Sequence, residues 1–93
     1  MIKTFKDKEV QRILYRRFSR KLPQNIQQKA RQKLVMLDAA TELKALRIPP
    51  GNRLEALKDD RKGQYSIRIN EQWRICFKWK DGNAYNVEIV AYH

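Results

Sequence analysis

Residues 63–93 read GQYSIRINEQWRICFKWKDGNAYNVEIVAYH, and apolar side chains take every second place through most of that stretch. Tyr65, Ile67 and Ile69 make one run, Trp73, Ile75, Phe77 and Trp79 a second, and Tyr85, Val87 and Ile89 a third. A period of two is the mark of half-buried strands, because successive side chains leave opposite faces of the pleat. Asn70-Glu71 and Asp81-Gly82-Asn83 break the runs with hairpin turns, Asp-Gly being a strong turn pair. The expected product is an antiparallel meander. One face is an apolar slab that includes Trp73, Trp79 and Tyr85, and the other carries Arg68, Arg74 and Lys78.

Working back from this meander, Arg53–Lys58 (RLEALK) reads as a further short strand, placed after Pro49-Pro50-Gly51, which no helix crosses. Asp59–Gly63 is a polar loop. Thr41–Asn52 is a connector with one helical turn around Leu43 and Leu46. A helix from about Pro23 to Ala39 or Ala40 buries Ile26, Ala30, Leu34 and Leu37 at helical spacing. Before it, Val10, Ile13, Leu14 and Phe18 form the stripe of another helix, running from Asp7 to between Ser19 and Leu22. The link between them is short, so the helices form an antiparallel hairpin. Met1–Phe5 alternates and suits an edge strand. The order is β-α-α-β-β-β-β, and the class is α+β: a two-helix hairpin on one face of a small, mainly antiparallel sheet. Ninety-three residues make one domain, residues 1–93.

The net charge is +11, from 21 Lys and Arg against 10 Asp and Glu. Residues 1–35 hold eleven basic and two acidic residues, so the helices supply most of the excess. Such a surface suits a polyanion, nucleic acid first among them, and Arg16, Arg17 and Lys29 are candidate phosphate contacts. A solvated face or a dock for an acidic protein is the plainer alternative. No apolar run is long enough for a membrane span, and the start lacks a signal-peptide h-region. The single cysteine, Cys76, has no disulfide partner and reads as a strand residue of a reducing cytosol.

One histidine, one cysteine and no carboxylate cluster argue against a metal site, and no glycine-rich loop precedes a helix to cradle a nucleotide. No cofactor is expected. Metal-free cleavage of RNA stays open, because the ribose 2′-hydroxyl is its own nucleophile and needs only a base, an acid and cations. The sole histidine, His93, can take either proton-transfer role, and Arg74, on the polar face, can bind phosphate as a fork. The alternatives are a terminal histidine without a role and a cross-strand Arg74–Glu88 pair. Arg68 shares the face of Arg74 and is a further phosphate contact.

The order of elements, the run QWRICFKW, the Asp-Gly hairpin and the terminal Tyr-His resemble the HigB-type toxins of the RelE superfamily, from bacterial type II toxin–antitoxin systems. MIKTF, LDAATEL (37–43) and PPGNRLEALKDDRKGQYSIRIN (49–70) extend the resemblance over essentially the whole chain. It implies a cytoplasmic endoribonuclease that enters the ribosomal A site and cuts translated mRNA. The implied partner is a HigA-type helix-turn-helix antitoxin, through which alone the toxin meets operator DNA. By this resemblance Arg74 would stabilise the scissile phosphate, Tyr92 and His93 would orient the nucleotide and move protons, and Lys58 would contact phosphate. Two positions depart from the family: Glu55 stands where some members have histidine, and Ala91 where some have aspartate. Glu55 could act as the base in place of that histidine, whereas Ala91 cannot replace an aspartate. The rival function is a basic RNA- or ribosome-binding protein without catalysis, and a third is a structural partner that modulates the antitoxin.

Overall fold

The strand Trp73–Lys80 (β3) lies at the centre of the sheet and sets its two faces. The computed structural model describes residues 1–91. Gln64–Arg68 (β2) and Asn83–Ala91 (β4) flank β3, both antiparallel, and Glu55–Ala56 (β1) pairs with the outer edge of β2. On the inner face Tyr65 is opposite Phe77 and Ile67 opposite Ile75. Ile67, Ile75, Phe77 and Val87 are completely buried. Phe77 stacks on Tyr65 with ring centres 6.2 Å apart and meets Trp79 edge-on at 6.3 Å. Each such side chain contributes about 1.5–3 kcal/mol by leaving water, so the alternating runs suffice to hold the slab to the helices.

Gln24–Ala39 (α2) covers this face with Ile26, Ala30, Leu34 and Leu37, as the helical spacing requires. Pro23 stands just before its first turn, and Ala40 ends it in an extended conformation. The connector then makes two short 3₁₀ turns, Leu43–Arg47 and Pro50–Asn52. Asn52 is fully buried. Its amide donates to the Leu46 carbonyl at 3.0 Å and lies 3.0 Å from Met36 Sδ, and its Oδ1 accepts from the Lys33 ammonium. Lys33 therefore braces the connector. Burial, helped by Lys29, lowers the pKa of that ammonium.

Several expectations change. The first helix, Lys8–Leu14 (α1), stops well short of Ser19. Arg16 has a φ of +62°, its N–H donates to the Ile13 carbonyl, and the Arg17 N–H reaches back to Arg12 at 2.7 Å. These two bonds close the helix in the manner usually served by glycine at the Arg16 position. Phe18 is consequently 55% exposed and contributes nothing to the core stripe. The chain from Ser19 to Leu22 is held by Gln27 instead. Its side chain donates to the Ser19 and Leu22 carbonyls and accepts from the Ser19 N–H, while Ser19 Oγ donates to Glu9 at 2.6 Å. The strand expected over Arg53–Lys58 is only Glu55–Ala56, and the turn expected at Asn70-Glu71 is a wider loop, residues 69–72. There Asn70 Oδ1 accepts from the N–H groups of Gln72 and Trp73. The N-terminal ribbon is an edge as expected, but it runs parallel to β4 through Ile2–Ala84 and Phe5–Val87.

The third alternating run also loses its phase. Cys76 faces Glu88, but Lys78 faces Tyr85 and Trp79 faces Ala84, so β4 carries one extra residue at a bulge. Asn86 takes it up with a φ of +53°. Ala84 becomes the core residue and is fully buried, whereas Tyr85 turns to the outer face. The Asn86 N–H donates to Thr4 Oγ1 at 2.8 Å. Asparagine tolerates left-handed backbone far better than a β-branched residue does. Asn86→Gly is expected to stay within about 0.5 kcal/mol of the parent, and Asn86→Val to lose about 1–3 kcal/mol, in urea denaturation followed by tryptophan fluorescence.

Candidate active site on the outer face of the sheet

β3 carries Arg74 on the face turned away from the helices, and the strands on either side build a hollow around it. A cavity of about 280 Å³ is lined by Glu55 and Leu57 from the β1 region, Arg61 from the following loop, Ser66 from β2, Arg74 and Cys76 from β3, and Val90 and Ala91 from β4. Arg74 is only 9% exposed. A guanidinium so far out of water needs partners, and it has them. Nε donates to Ser66 Oγ at 2.8 Å, Nη2 donates to the Arg53 carbonyl at 2.9 Å, and Glu55 Oε2 lies 3.7 Å from Nη2. Arg53 can aim its carbonyl inward because the chain turns there, with a φ of +45°.

Beside it, Arg61 pairs with Glu88 at 3.1 Å and donates to Gln64 Oε1 at 3.2 Å, and Glu88 also meets Lys6 at 3.4 Å. Glu88 is therefore committed to Arg61 and Lys6, and among the described residues the carboxylate beside Arg74 is Glu55. Cys76 is buried on this face. Burial pushes its thiol up, Arg61 and Arg74 draw it down, and Glu88 and Glu55 push it up again, with burial the largest effect. A thiol kept protonated is no nucleophile at neutral pH.

Of the residues singled out from the sequence, the structure brings together Arg74 and Glu55. Arg68 lies opposite Arg74 in register, yet its Nε donates to the Asn70 carbonyl at 3.0 Å, and it lines a separate hollow with Lys29 and Arg53. Lys58 is exposed, two residues beyond the end of β1, and lines neither hollow. Arg16 and Arg17 stand together in the helical layer. Tyr92 and His93 lie outside the described residues and follow Ala91, which lines the Arg74 cavity. Two participants escaped the sequence. Ser66 is one of several small polar residues alternating with the apolar runs, and Arg61 belongs to the Asp59–Gly63 loop, whose fold brings it over the sheet. Among the described residues no three His, Cys, Asp or Glu side chains gather as metal ligands, and no helix is long and apolar enough to cross a membrane.

Two outcomes follow from this packing. Ser66→Ala removes the acceptor of a buried Arg74 donor and is expected to cost about 1–3 kcal/mol in chemical denaturation. Cys76 in the native protein is expected to react with a thiol reagent at pH 8 more slowly than in urea, because burial raises its pKa, which lowers the thiolate fraction, and also covers the sulfur.

Comparison with known proteins agrees with this architecture. The family model described as RelE-like toxin of type II toxin-antitoxin system HigB matches residues 3–93. Toxin HigB-1 of Vibrio cholerae is 49% identical over 67 residues, which cover 72% of this chain and 70% of that protein. Endoribonuclease HigB of Proteus vulgaris is 33% identical over an alignment of 97 residues that covers 100% of both chains. An uncharacterized protein of Haemophilus influenzae is 36% identical over 67 residues, 72% of this chain and 66% of that one. With the helical hairpin, the antiparallel sheet and these matches together, the chain belongs to the HigB family of RelE-like toxins of type II toxin–antitoxin systems.

Proposed function

We propose that this toxin is a metal-independent endoribonuclease that cuts mRNA on the ribosome, at the A site, and so halts translation and growth. The observation that carries the reading is Arg74: a guanidinium fixed by Ser66 and the Arg53 carbonyl at the wall of a cavity, with a carboxylate, Glu55, beside it. A cation already fixed in place, in surroundings with little water, stabilises the charge that develops on a reacting phosphate without reorganising. A relative bearing the name Endoribonuclease HigB supports the same reaction class.

The chemistry needs no protein nucleophile. The 2′-hydroxyl of one nucleotide attacks its own 3′-phosphorus, a 2′,3′-cyclic phosphate forms, and the bond to the next 5′-oxygen breaks. One group must take the 2′-proton and another must protonate the 5′-oxygen. We assign these proton transfers to His93 and Glu55, the orientation of the nucleotide to Tyr92, and the phosphate charge to Arg74. Lys58, Arg68, Arg16, Arg17 and Lys29 would hold phosphates further along the RNA. Ala91, where related toxins are expected to carry aspartate, leaves the cavity one carboxylate poorer and is compatible with a slow enzyme.

A type II toxin has an antitoxin partner, and we infer one of the HigA type, a helix-turn-helix protein that also carries the toxin to operator DNA. The site of action is the cytoplasm. The reading that competes is ribosome binding without cleavage, favoured by Ala91 and by the charge of the helical layer.

Mapping of mRNA 5′ ends after brief expression separates the two. New ends are expected with the parent, and a fall of about 100-fold or more in their frequency with Arg74→Ala or His93→Ala. Glu55→Gln should reduce them less. A double variant that cuts like the parent removes this site assignment. Growth arrest and ribosome binding by the parent without new ends establish the non-catalytic reading instead.

A further inference from the structure

Two adjacent hollows in the helical layer take no part in the proton transfers above, although Arg16 and Arg17, already assigned to phosphates, line them, and they share no lining residue with the Arg74 cavity. They flank the segment Tyr15–Phe18 that follows α1, and Arg17 lines both. The first, about 460 Å³, sets the Phe18 ring beside Arg16, Arg17 and Arg31 with the amides of Gln28 and Gln32, and no carboxylate lines it. The second, about 440 Å³, sets the Tyr15 ring among Lys8, Arg12 and Arg17. Its one carboxylate, Glu9, is engaged by Ser19 Oγ. Each hollow is in the size range that holds a nucleotide-sized ligand.

Both rings stand largely in water. Tyr15 is 63% exposed and Phe18 55%, although a hydrophobic ring gains by burial. What exposes them is the left-handed Arg16, at a backbone position that suits glycine and costs an arginine about 1–2 kcal/mol. That conformation ends α1 early, turns Phe18 outward and leaves Arg16 beside it. Arg31 Nε is buried and has no acceptor among the described residues.

A plain electrostatic surface needs neither exposed rings nor amides. Flat rings flanked by guanidiniums are how single-stranded nucleic acid is held, because every base has a stacking face and every linkage a charge. Duplex RNA keeps its bases stacked and offers a ring nothing but phosphate and ribose. An acidic peptide complements the charge and leaves the rings without flat partners. We infer that this surface is a second RNA site, which binds a single strand with one base stacked on Tyr15, another on Phe18 and the intervening phosphate on Arg17. The inference rests on reading the toxin as RNA-directed, and it is independent of whether the toxin cleaves.

The test measures binding of the parent toxin, by fluorescence anisotropy, to an unstructured 2′-O-methyl oligoribonucleotide of about ten nucleotides, which lacks the attacking hydroxyl and stays intact. Tyr15→Leu and Phe18→Leu are each expected to weaken binding about fivefold or more with unchanged salt dependence, whereas Phe18→Trp keeps it. Arg17→Gln is expected to weaken binding and to lower the log–log salt slope by about 0.7. Both rings are more than half exposed, so thermal melting should not move. If a leucine variant melts early, the Tyr15→Trp and Phe18→Trp pair decides, since retained single-strand binding is required of both. The inference fails if well-folded leucine variants bind like the parent, or if an RNA duplex of equal length binds as tightly as the strand. It fails equally if poly-glutamate binds more tightly than RNA and loses affinity with the same ring changes, which would make the surface a protein dock. Absence of new mRNA 5′ ends with ring-dependent binding intact would sink the nuclease reading and leave this one standing.

Discussion

A guanidinium held below the surface of a 93-residue protein constrains everything around it. Arg74 can be buried only if oxygen atoms arrive from other parts of the chain, and each arrival explains a piece of the fold. Ser66 is supplied by the register of β2 against β3, where it faces Cys76. The Arg53 carbonyl is supplied by the connector, and the connector is placed by Asn52, buried and held by Leu46, Met36 and Lys33. Glu55 comes with β1, whose two residues pair with Ser66 and Tyr65. The irregular stretch between α2 and β2 thus has a purpose that its poor periodicity conceals. It delivers polar atoms to one side chain.

The parts of this arrangement that follow a period were legible in the sequence. Ile26, Ala30, Leu34 and Leu37 gave α2 to within a residue or two, and the alternation around Phe77 gave β2 and β3 with their faces correct. What stayed hidden depends on residues with positive φ that are not glycine. Arg16, Arg53 and Asn86 each redirect the chain, and none carries a strong compositional signal of doing so. Arg16 cut α1 short and reversed the role of Phe18. Asn86 shifted the phase of β4 and exchanged Tyr85 for Ala84 in the core. Periodicity arguments assume that the phase persists, and a single left-handed residue resets it. The same limit applies to the site: Arg74 and Glu55 were found by resemblance and face, whereas Ser66 and Arg61 acquire their roles through three-dimensional placement alone.

Charge is divided between the layers in different forms. On the outer face of the sheet, arginines are paired or hydrogen-bonded, with Arg74 near Glu55, Arg61 on Glu88 and Arg68 on the Asn70 carbonyl. In the helical layer, most lysines and arginines, Arg31 and Lys33 excepted, stand at the surface with few carboxylates among them. The first form fixes a cation in position and suits the stabilisation of a reacting phosphate. The second attracts a polyanion from a distance and is sensitive to salt. One small domain therefore separates positioning from attraction, using its apolar slab as the partition.

The parallel pairing of the N-terminal ribbon with β4 has a consequence for the making of the protein. Thr4 and Asn86 are joined across 82 positions of sequence, and the Lys3 and Lys6 N–H groups wait for the Ala84 and Val87 carbonyls. Contacts of such separation form slowly, after the local hairpins and helices. On a translating ribosome, residues 1–6 emerge long before their partners exist, while β4 is still to be synthesised. Because β4 also supplies Val90 and Ala91 to the Arg74 cavity, a nascent chain has neither a closed sheet edge nor a complete cavity wall. The hollow around Arg74 is therefore one of the last features of the fold to be completed, after β4 has been made.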